Sequence, residues 1–196
     1  MRAASTRAPG SGSVAGMSET PSVTPRPSVL WKGVALALVA AGLFSDLWTK
    51  DWMQHRLGMD PANPHQSDTI HVIQSVFRFE GNWNEGITFG IAAGHTNPIL
   101  VFTGLACLGI LAALIFSRSP SRLLHVSLAL ILAGAIGNLY DRYTWHKVRD
   151  FVVVYWKDWQ WPAFNVADSM IVVGVILILW RELFGRRGEA ARGRRP

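Results

Sequence analysis

Four long apolar stretches dominate the pattern of hydrophobic and polar positions along this chain. They cover residues 29–48, 97–116, 123–140 and 164–181. A membrane whose hydrocarbon core is roughly 30 Å thick requires about 20 helical residues to cross it. Each stretch is close to that length, and the last two reach it when their polar ends lie in the membrane interface. The pattern therefore predicts an all-α integral membrane protein with four transmembrane helices.

The two longer connections between these stretches carry a different pattern. Residues 69–79 are rich in β-branched and aromatic side chains, and Phe77-Arg78-Phe79 alternates as a strand does. Residues 151–156 (Phe-Val-Val-Val-Tyr-Trp) form a second candidate strand. We expect these segments to form a small sheet that rests on the membrane surface, outside the helices.

The two ends of the chain differ from its middle in composition. Residues 1–28 are rich in Ser, Pro, Ala, Gly and Thr and lack an apolar core. This predicts a disordered cytosolic N-terminal extension rather than a signal peptide, and Met17 is a second candidate for the start of translation. Residues 185–196 are predicted to form a basic cytosolic tail, which leaves residues 29–184 as the membrane domain.

The positions of lysine and arginine predict the orientation in the membrane. Twelve of the 19 basic residues lie before residue 33, in the turn at 117–122 or after residue 180. Because cytoplasmic loops are enriched in these residues, both termini are predicted to be cytosolic, and the connections 49–96 and 141–163 to face outward. The net charge of +6 is concentrated in the tail without aromatic stacking platforms, which favours membrane lipids over nucleic acid as a partner. The single cysteine, Cys107, excludes a disulfide framework.

Polar residues collect at the ends of the stretches that this orientation places outside. The set is Asp46, Lys50, Asn84, Gly86, Asn138, Asp141, Arg142, Asp150, Asn165 and Asp168. The middles of the four stretches carry no charge, whereas transporters and proton pumps place ionisable groups near the membrane midplane. Since an ionised aspartate in hydrocarbon costs at least about 2.5 kcal/mol, Asp150 and Asp168 require a structural or functional reason.

Several of these residues also have a purely structural interpretation. Asp46 and Lys50 have the spacing of an ion pair at a helix end. Asn165 and Asp168 have the spacing of a helix-capping pair. The acid and the arginine at 141–142 could be interfacial charges. The residues themselves leave these interpretations open beside a functional one.

The functional interpretation starts from the two aspartates. Two carboxylates that share a wet pocket do not ionise together, so one of them keeps a proton. With one proton between them, Asp150 and Asp168 could activate a water molecule and protonate a departing amine, as an aspartic protease does. The sequence has no Gly-x-Ser-x-Gly or His-Glu-x-x-His motif. A divalent ion between the two acids is the remaining alternative, but no further acidic ligand lies close in sequence, so no metal or other cofactor is predicted.

Four short segments follow one another at the ends of the apolar stretches and between them. They are Asp46–Lys50 (DLWTK), Asn84–Gly90 (NEGITFG), Gly137–Arg142 (GNLYDR) with Val148–Phe151 (VRDF), and Phe164–Ser169 (FNVADS). In this order and layout, over residues 29–184, they resemble the bacterial lipoprotein signal peptidases, also called signal peptidase II or prolipoprotein signal peptidase.

The resemblance implies a four-helix membrane aspartic protease with a small extracytoplasmic β-cradle in the bacterial cytoplasmic (inner) membrane. Such an enzyme would act as a monomer among membrane lipids and cleave the signal peptide from diacylglyceryl-modified prolipoproteins, just before the lipidated cysteine. Asp150 and Asp168 match the family's catalytic pair. The matching support and substrate-binding positions are Asn84, Gly86, Asn138, Asp141, Arg142, Asn165, Asp46 and Lys50. Ile87-Thr88 departs from the small residues usual in that loop.

The sequence also predicts how one of the supporting residues works. Asn138, Asp141 and Arg142 are three and four positions apart, so all three can point toward the start of the fourth stretch. Arg142 beside two acids would favour an ionised carboxylate and hold the strand around Asp150 by charge-assisted hydrogen bonds.

The alternative from another class is a small non-enzymatic transporter or assembly factor with a polar site at its outer face. Charges at the membrane midplane or broken spans would favour it, and the sequence shows neither.

Overall fold

A computed structural model describes residues 29–64, 66–86 and 96–185. Its elements, in chain order, are α1 (Val29–Arg56), β1 (Thr69–Ile73), β2 (Phe77–Asn84), α2 (Thr96–Phe116), α3 (Arg122–Trp145), β3 (Val148–Trp156), β4 (Trp159–Gln160) and α4 (Val166–Trp180). A five-residue π-helical segment, Arg181–Gly185, continues α4. The predicted N-terminal extension, the departure at Ile87-Thr88 and the tail beyond residue 185 lie outside the described residues.

Within the described ranges, three helices are long and apolar enough to cross a membrane. They are Val29–Arg56, Asn97–Phe116 and Arg122–Trp145. The fourth predicted stretch forms α4, whose 15 residues extend about 22 Å at the helical rise per residue. The predicted combination of apolar membrane helices with a small antiparallel sheet is confirmed, whereas the count of four spans stays a prediction.

Helix α3 lies at the centre of the helical part and packs against α1, α2 and α4. Two glycines allow a close approach. A Cβ at Gly134 would lie 2.3 Å from the backbone oxygen of Ala167 in α4, and a Cβ at Gly137 would lie 2.2 Å from Oδ2 of Asp46 in α1. Small residues at helix contacts permit such packing. The start of α4 thereby lies beside the part of α1 that carries Asp46.

Helix α1 continues to Arg56, eight residues beyond the predicted end at residue 48. The apolar run ends at residue 48, but the helix continues. It does so because Met53, and Leu57 just after the helix end, are buried against Trp83 of β2 and Phe151 of β3. Tertiary packing here overrides the local polar composition. The extension joins the helical part of the molecule to the sheet.

Both predicted strand segments belong to one antiparallel sheet with the order β1-β2-β3-β4. Segment 69–79 forms β1 and the start of β2, and segment 151–156 forms most of β3. Strand β3 begins earlier than predicted, so Asp150 lies inside it and pairs with Asn82 of β2. A bridge between Val152 and Phe164 returns the β3–β4 hairpin to the start of α4. Asp150 therefore lies next to the N-terminus of that helix.

Candidate active site

Asp150 is almost fully buried, with 1% of its surface exposed. Both of its carboxylate oxygens receive amide donors. Nδ2 of Asn84, at the end of β2, lies 3.0 Å from Oδ2, and Nδ2 of Asn165, just before α4, lies 2.7 Å from Oδ1. Because these donors belong to different parts of the fold, the position of Asp150 depends on how the sheet docks on the helices.

Asp168 lies in the first turn of α4 and is partly exposed. Oδ1 of Asn165 accepts the Asp168 N–H at 3.0 Å, and Oδ2 of Asp168 accepts the Asn165 N–H at 3.1 Å. The predicted capping pair is thus confirmed as a reciprocal capping box. The cap leaves Oδ1 of Asp168 available, and this oxygen accepts from Nδ2 of Asn138 in α3 at 2.8 Å. Asp168 is therefore held by its own helix and by α3.

The electrostatic environment of Asp150 favours its neutral form. Burial, and then the negative charge of the neighbouring Asp168, raise the pKa of Asp150 from its ordinary value of 3.8 to about 8. The hydrogen bonds from Asn84 and Asn165 and the charge of Lys50 oppose this rise in pKa but are weaker. This rise in pKa favours the protonated form of Asp150 over its carboxylate.

A buried ionic group lies beneath the start of α4. Lys50 is fully buried, and its Nζ lies 2.8 Å from Asp46 and 3.5 Å from Asp141. The same ammonium donates to Oδ1 of Asn138 at 2.9 Å. Asp46 also accepts the N–H of Ala167 at 2.8 Å, one of the backbone donors that the first turn of a helix leaves without a partner. Asp46 and Lys50 form the predicted ion pair, but the pair is buried inside the protein. Lys50 binds Asn138, and Asp46 binds the first turn of α4.

Asp141 binds an arginine that the sequence reasoning did not select. Nη2 of Arg149, in β3, donates to Oδ1 of Asp141 at 2.7 Å, and Nε and the backbone N–H lie 3.3 and 3.0 Å from Oδ2. Nη1 donates to Asp51 and Gln54 of α1 at 2.5 and 2.9 Å. The side chains of Asp141 and Arg149 are 0% and 1% exposed. The available signal was a charged residue directly before Asp150 in a strand that is otherwise apolar.

Arg142 interacts by charge with Asp150 and Asp168, as predicted. Among the described residues its hydrogen bonds do not go to the strand around Asp150, so that part of the prediction was wrong. Its Nη2 donates to the carbonyl oxygen of Gly86 at 2.7 Å. The Gly86 N–H in turn donates to Oδ1 of Asn84 at 3.0 Å. Among the described residues, Arg142 therefore anchors the turn that presents Asn84 to Asp150.

The three α3 residues that were expected to point at α4 make different contacts. Asn138 donates to Asp168, and the charge of Arg142 interacts with the charges of Asp150 and Asp168. Asp141 instead binds Arg149 of β3, so the prediction was wrong for this residue. The structure nevertheless brings all ten predicted site residues into one connected network. Its links are made by Asp46, Lys50, Asp141, Asn138, Asp168, Asn165, Asp150, Asn84, Gly86 and Arg142.

An open cavity of about 570 Å³ adjoins this network. Its wall includes Glu80, Asn84, Gly86 and Gln160, so the lining is largely polar. Since Asn84 contacts Asp150 and lines the cavity, Asp150 lies close to the cavity wall.

In the ranges 29–64, 66–86 and 96–185, no three His, Cys, Asp or Glu side chains are grouped so that they could hold a metal ion. The carboxylates near the pair are engaged by Lys50, Arg149 and amide donors. The absence of a metal requirement stays a prediction.

Comparison with known proteins points to one family. A family model described as signal peptidase (SPase) II matches residues 37–184, a range that contains all ten site residues. The chain is 36% identical over 161 residues to the lipoprotein signal peptidase of Teredinibacter turnerae, which covers 80% of this chain and 89% of that protein. It is 37% identical over 158 residues to the lipoprotein signal peptidase of Solibacter usitatus, which covers 78% of this chain and 91% of that protein.

Solved structures share the fold. A bacterial membrane enzyme determined by the in meso method at 2.3 Å matches with a TM-score of 0.68 and 25% identity, over 81% of this chain and 90% of that chain. A second bacterial membrane enzyme, determined by the same method at 1.9 Å, matches with a TM-score of 0.67 and 24% identity, over 81% and 96%. Together with the apolar helices, these matches identify a multi-pass membrane protein.

Proposed function

This chain belongs to the signal peptidase II family, and from that premise we propose that it removes the signal peptide from lipid-modified prolipoproteins by aspartic catalysis. The family resemblance of the sequence is confirmed, and it disfavours a transporter or assembly factor. One observation carries the proposed mechanism: Asn165 donates to Asp150 and caps the helix that carries Asp168. Asn165 thereby links the two carboxylates in one site. In that site Asp150 holds a proton because its pKa is raised.

Asp150 is the acid of the proposed pair and Asp168 is the base. Asp168 receives N–H donors at both oxygens and lies at the positive end of the α4 dipole, which favours a carboxylate. It takes a proton from a water molecule as the water oxygen attacks the scissile carbonyl carbon. Asp150 donates its proton to the carbonyl oxygen in the same step.

Breakdown of the tetrahedral intermediate restores the pair. The carbon–nitrogen bond breaks, and the proton held by Asp168 passes to the departing amine of the lipidated cysteine. One hydroxyl of the intermediate returns its proton to Asp150 as the new carboxyl group forms. The pair therefore begins and ends the cycle with one proton, and the other eight predicted residues hold it in place.

The membrane explains why the pair would lie at the end of the helices. A prolipoprotein is held by its signal helix and its lipid anchor, so its scissile bond lies at the bilayer surface. In our proposal α4 is the fourth span, both termini are cytosolic and the pair lies at the outer face of the inner membrane. The distribution of basic residues supports this orientation.

The same placement leads to two further proposals. The sheet contacts the lipid interface, and the active form is a monomer. Trp156 and Trp159, at the tip of the β3–β4 hairpin, are 67% and 57% exposed, and tryptophan is suited to the lipid interface. One chain supplies both aspartates and their donors, which supports a monomer as the active form.

The test is a cleavage assay with purified protein and a prolipoprotein that carries a diacylglyceryl cysteine. We expect the mass loss of the signal peptide, and no effect of EDTA. Asp150→Asn and Asp168→Asn should each lower turnover by about 1000-fold or more while the protein stays folded, because an amide can replace neither the acid nor the base.

The matched control is Asp158→Asn, which changes an exposed aspartate in the turn between β3 and β4 and should leave turnover unchanged. Wild-type turnover by either pair variant would refute the catalytic assignment. A wild-type protein that leaves the lipid-modified substrate intact would refute the function.

A further inference from the structure

The buried Arg149 has no chemical step in the proposed mechanism, yet it directly precedes Asp150. Successive side chains of a strand point to opposite faces, so the guanidinium lies on the face of β3 opposite to the Asp150 carboxylate. There it binds Asp141 of α3 with two nitrogens, and Asp51 and Gln54 of α1 with the third. Arg149 therefore ties one strand position to two helices.

The backbone around Arg149 is fixed as well. Its N–H donates to Oδ2 of Asp141 at 3.0 Å, and its carbonyl oxygen accepts from Nδ2 of Asn165 at 3.3 Å. That carbonyl belongs to the peptide group that continues into Asp150. The two peptide groups that lead into Asp150 are thus held by α3 and by the residue that caps α4.

One turn of α3 contacts both halves of the site. Asn138 holds the carboxylate of Asp168 directly. Asp141, three residues later, receives the side chain and the backbone N–H of Arg149. The two aspartates are therefore placed relative to the same short segment of one helix.

We propose that Arg149 is a positioning residue. Its ion pair with Asp141, here named the clasp, fixes Asp150 at its working distance from Asp168. The Asn138–Asp141 turn of α3 positions both aspartates. This inference rests on the proposed function, because it concerns the same pair. A guanidinium fork fixes both the orientation and the distance of a carboxylate. Since a displacement of about 1 Å can cost about 100-fold in rate, such a clasp matters for catalysis.

If Arg149 only compensated the negative charge of Asp141, any cationic side chain at position 149 would be sufficient. Lys50 also lies 3.5 Å from Asp141, and any cation at position 149 would compensate the buried carboxylate. A lysine would supply the charge, but one ammonium cannot make the parallel bonds to both Asp141 oxygens while it also reaches Asp51. Arg149→Lys therefore separates positioning from charge compensation.

The experiment measures kcat and KM of Arg149→Lys on the lipid-modified prolipoprotein, together with thermal unfolding in detergent. We expect kcat to fall about 100-fold, with KM and Tm close to those of the wild type. The control is Arg78→Lys, an arginine of the same sheet that pairs with Glu80 and donates to Gln160, and it should keep its kcat. A wild-type kcat for Arg149→Lys, or a loss that matches its loss of folded protein, would overturn the clasp.

A second variant removes the other end of the clasp. Asp141→Asn should also lower kcat, and combining it with Arg149→Lys should add little further loss, because both changes break one interaction. Independent, multiplying losses would count against the clasp.

Asp150→Asn, assayed in parallel, separates failure of the clasp from failure of the proposed function. An inactive Asp150→Asn beside a fully active Arg149→Lys overturns the clasp alone. An active Asp150→Asn overturns the catalytic pair and the clasp together.

Discussion

The start of α4 and the middle of β3 each carry one aspartate of the candidate pair, but they hold it in different ways. Asp168 is bound by the capping box of its own helix, whose partner Asn165 is three residues away. Asp150 is bound by Asn84, which is 66 residues away in the chain, and its strand is tied to α3 through Arg149. Secondary structure, together with one bond from Asn138 of α3, places Asp168, whereas the position of Asp150 depends on tertiary docking of the sheet.

This difference has a chemical consequence. The helix terminus leaves Asp168 partly exposed with N–H donors at both oxygens. Docking of the sheet buries Asp150 and raises its pKa to about 8. In our proposal these two environments make Asp150 the acid and Asp168 the base of the pair.

The largest effect among the supporting residues is expected for Asn165→Ala, which breaks the link between the two regions. The change removes a donor to Asp150 and the cap of α4 together. We expect a loss of turnover of about 100-fold from the displaced pair and a loss of stability of about 1 kcal/mol from the missing cap. Turnover and denaturant unfolding measure the two effects.

The control for this variant is Asn63→Ala, an exposed amide in the connection between α1 and β1, which should change neither quantity. An Asn165→Ala protein that cleaves like the wild type would show that the two aspartates do not depend on this shared residue.

A smaller effect is expected for Arg142→Ala, whose hydrogen bond orients the turn after β2. The lost bond to Gly86 frees the turn that orients Asn84, and the loss of a buried arginine also weakens packing. Both Tm and activity should fall, with activity lowered about tenfold, close to the free energy of one hydrogen bond to a charged group. The prediction fails if the variant melts and cleaves like the wild type, as expected for an arginine that only extends toward lipid headgroups.

Asp150 alone is expected to make the stability of the protein depend on pH. Its pKa is 3.8 in the ordinary state and about 8 in the fold. Below pH 3.8 both the folded and the unfolded chain are protonated at this residue. As pH rises from 3.8 to about 8, the unfolded chain ionises while the fold keeps its proton, so the free energy of unfolding falls.

Asp150→Asn removes this dependence. Its Tm in detergent should therefore exceed that of the wild type increasingly as the pH approaches about 8. Parallel curves of Tm against pH for the two proteins would mean that Asp150 does not carry the proton.

The parts of the fold and the site that depend on local pattern could be predicted from the sequence. The length of apolar stretches indicated the membrane helices, and the spacing of Asn165 and Asp168 indicated the cap. Each of these follows from a few neighbouring residues, and the structure agrees.

The remaining features depend on contacts between distant segments. The pairing of Arg149 with Asp141 requires the register of β3 against α3, which no short pattern specifies. Arg142 was assigned to Asp150 on spacing alone, whereas docking of the β2 turn directs it to Gly86. Likewise, α1 continues to Arg56 only because the sheet buries Met53.

Asp150 and Asp168 are proposed to share one proton that Asp150 holds, and an infrared titration of the carboxyl band detects this proton. At neutral pH the wild type should show one protonated buried carboxyl that loses its proton near pH 8 and is missing in Asp150→Asn, with Asp158→Asn as the unchanged control. A neutral-pH spectrum without any protonated carboxyl, or one whose band persists in Asp150→Asn, would refute the shared proton.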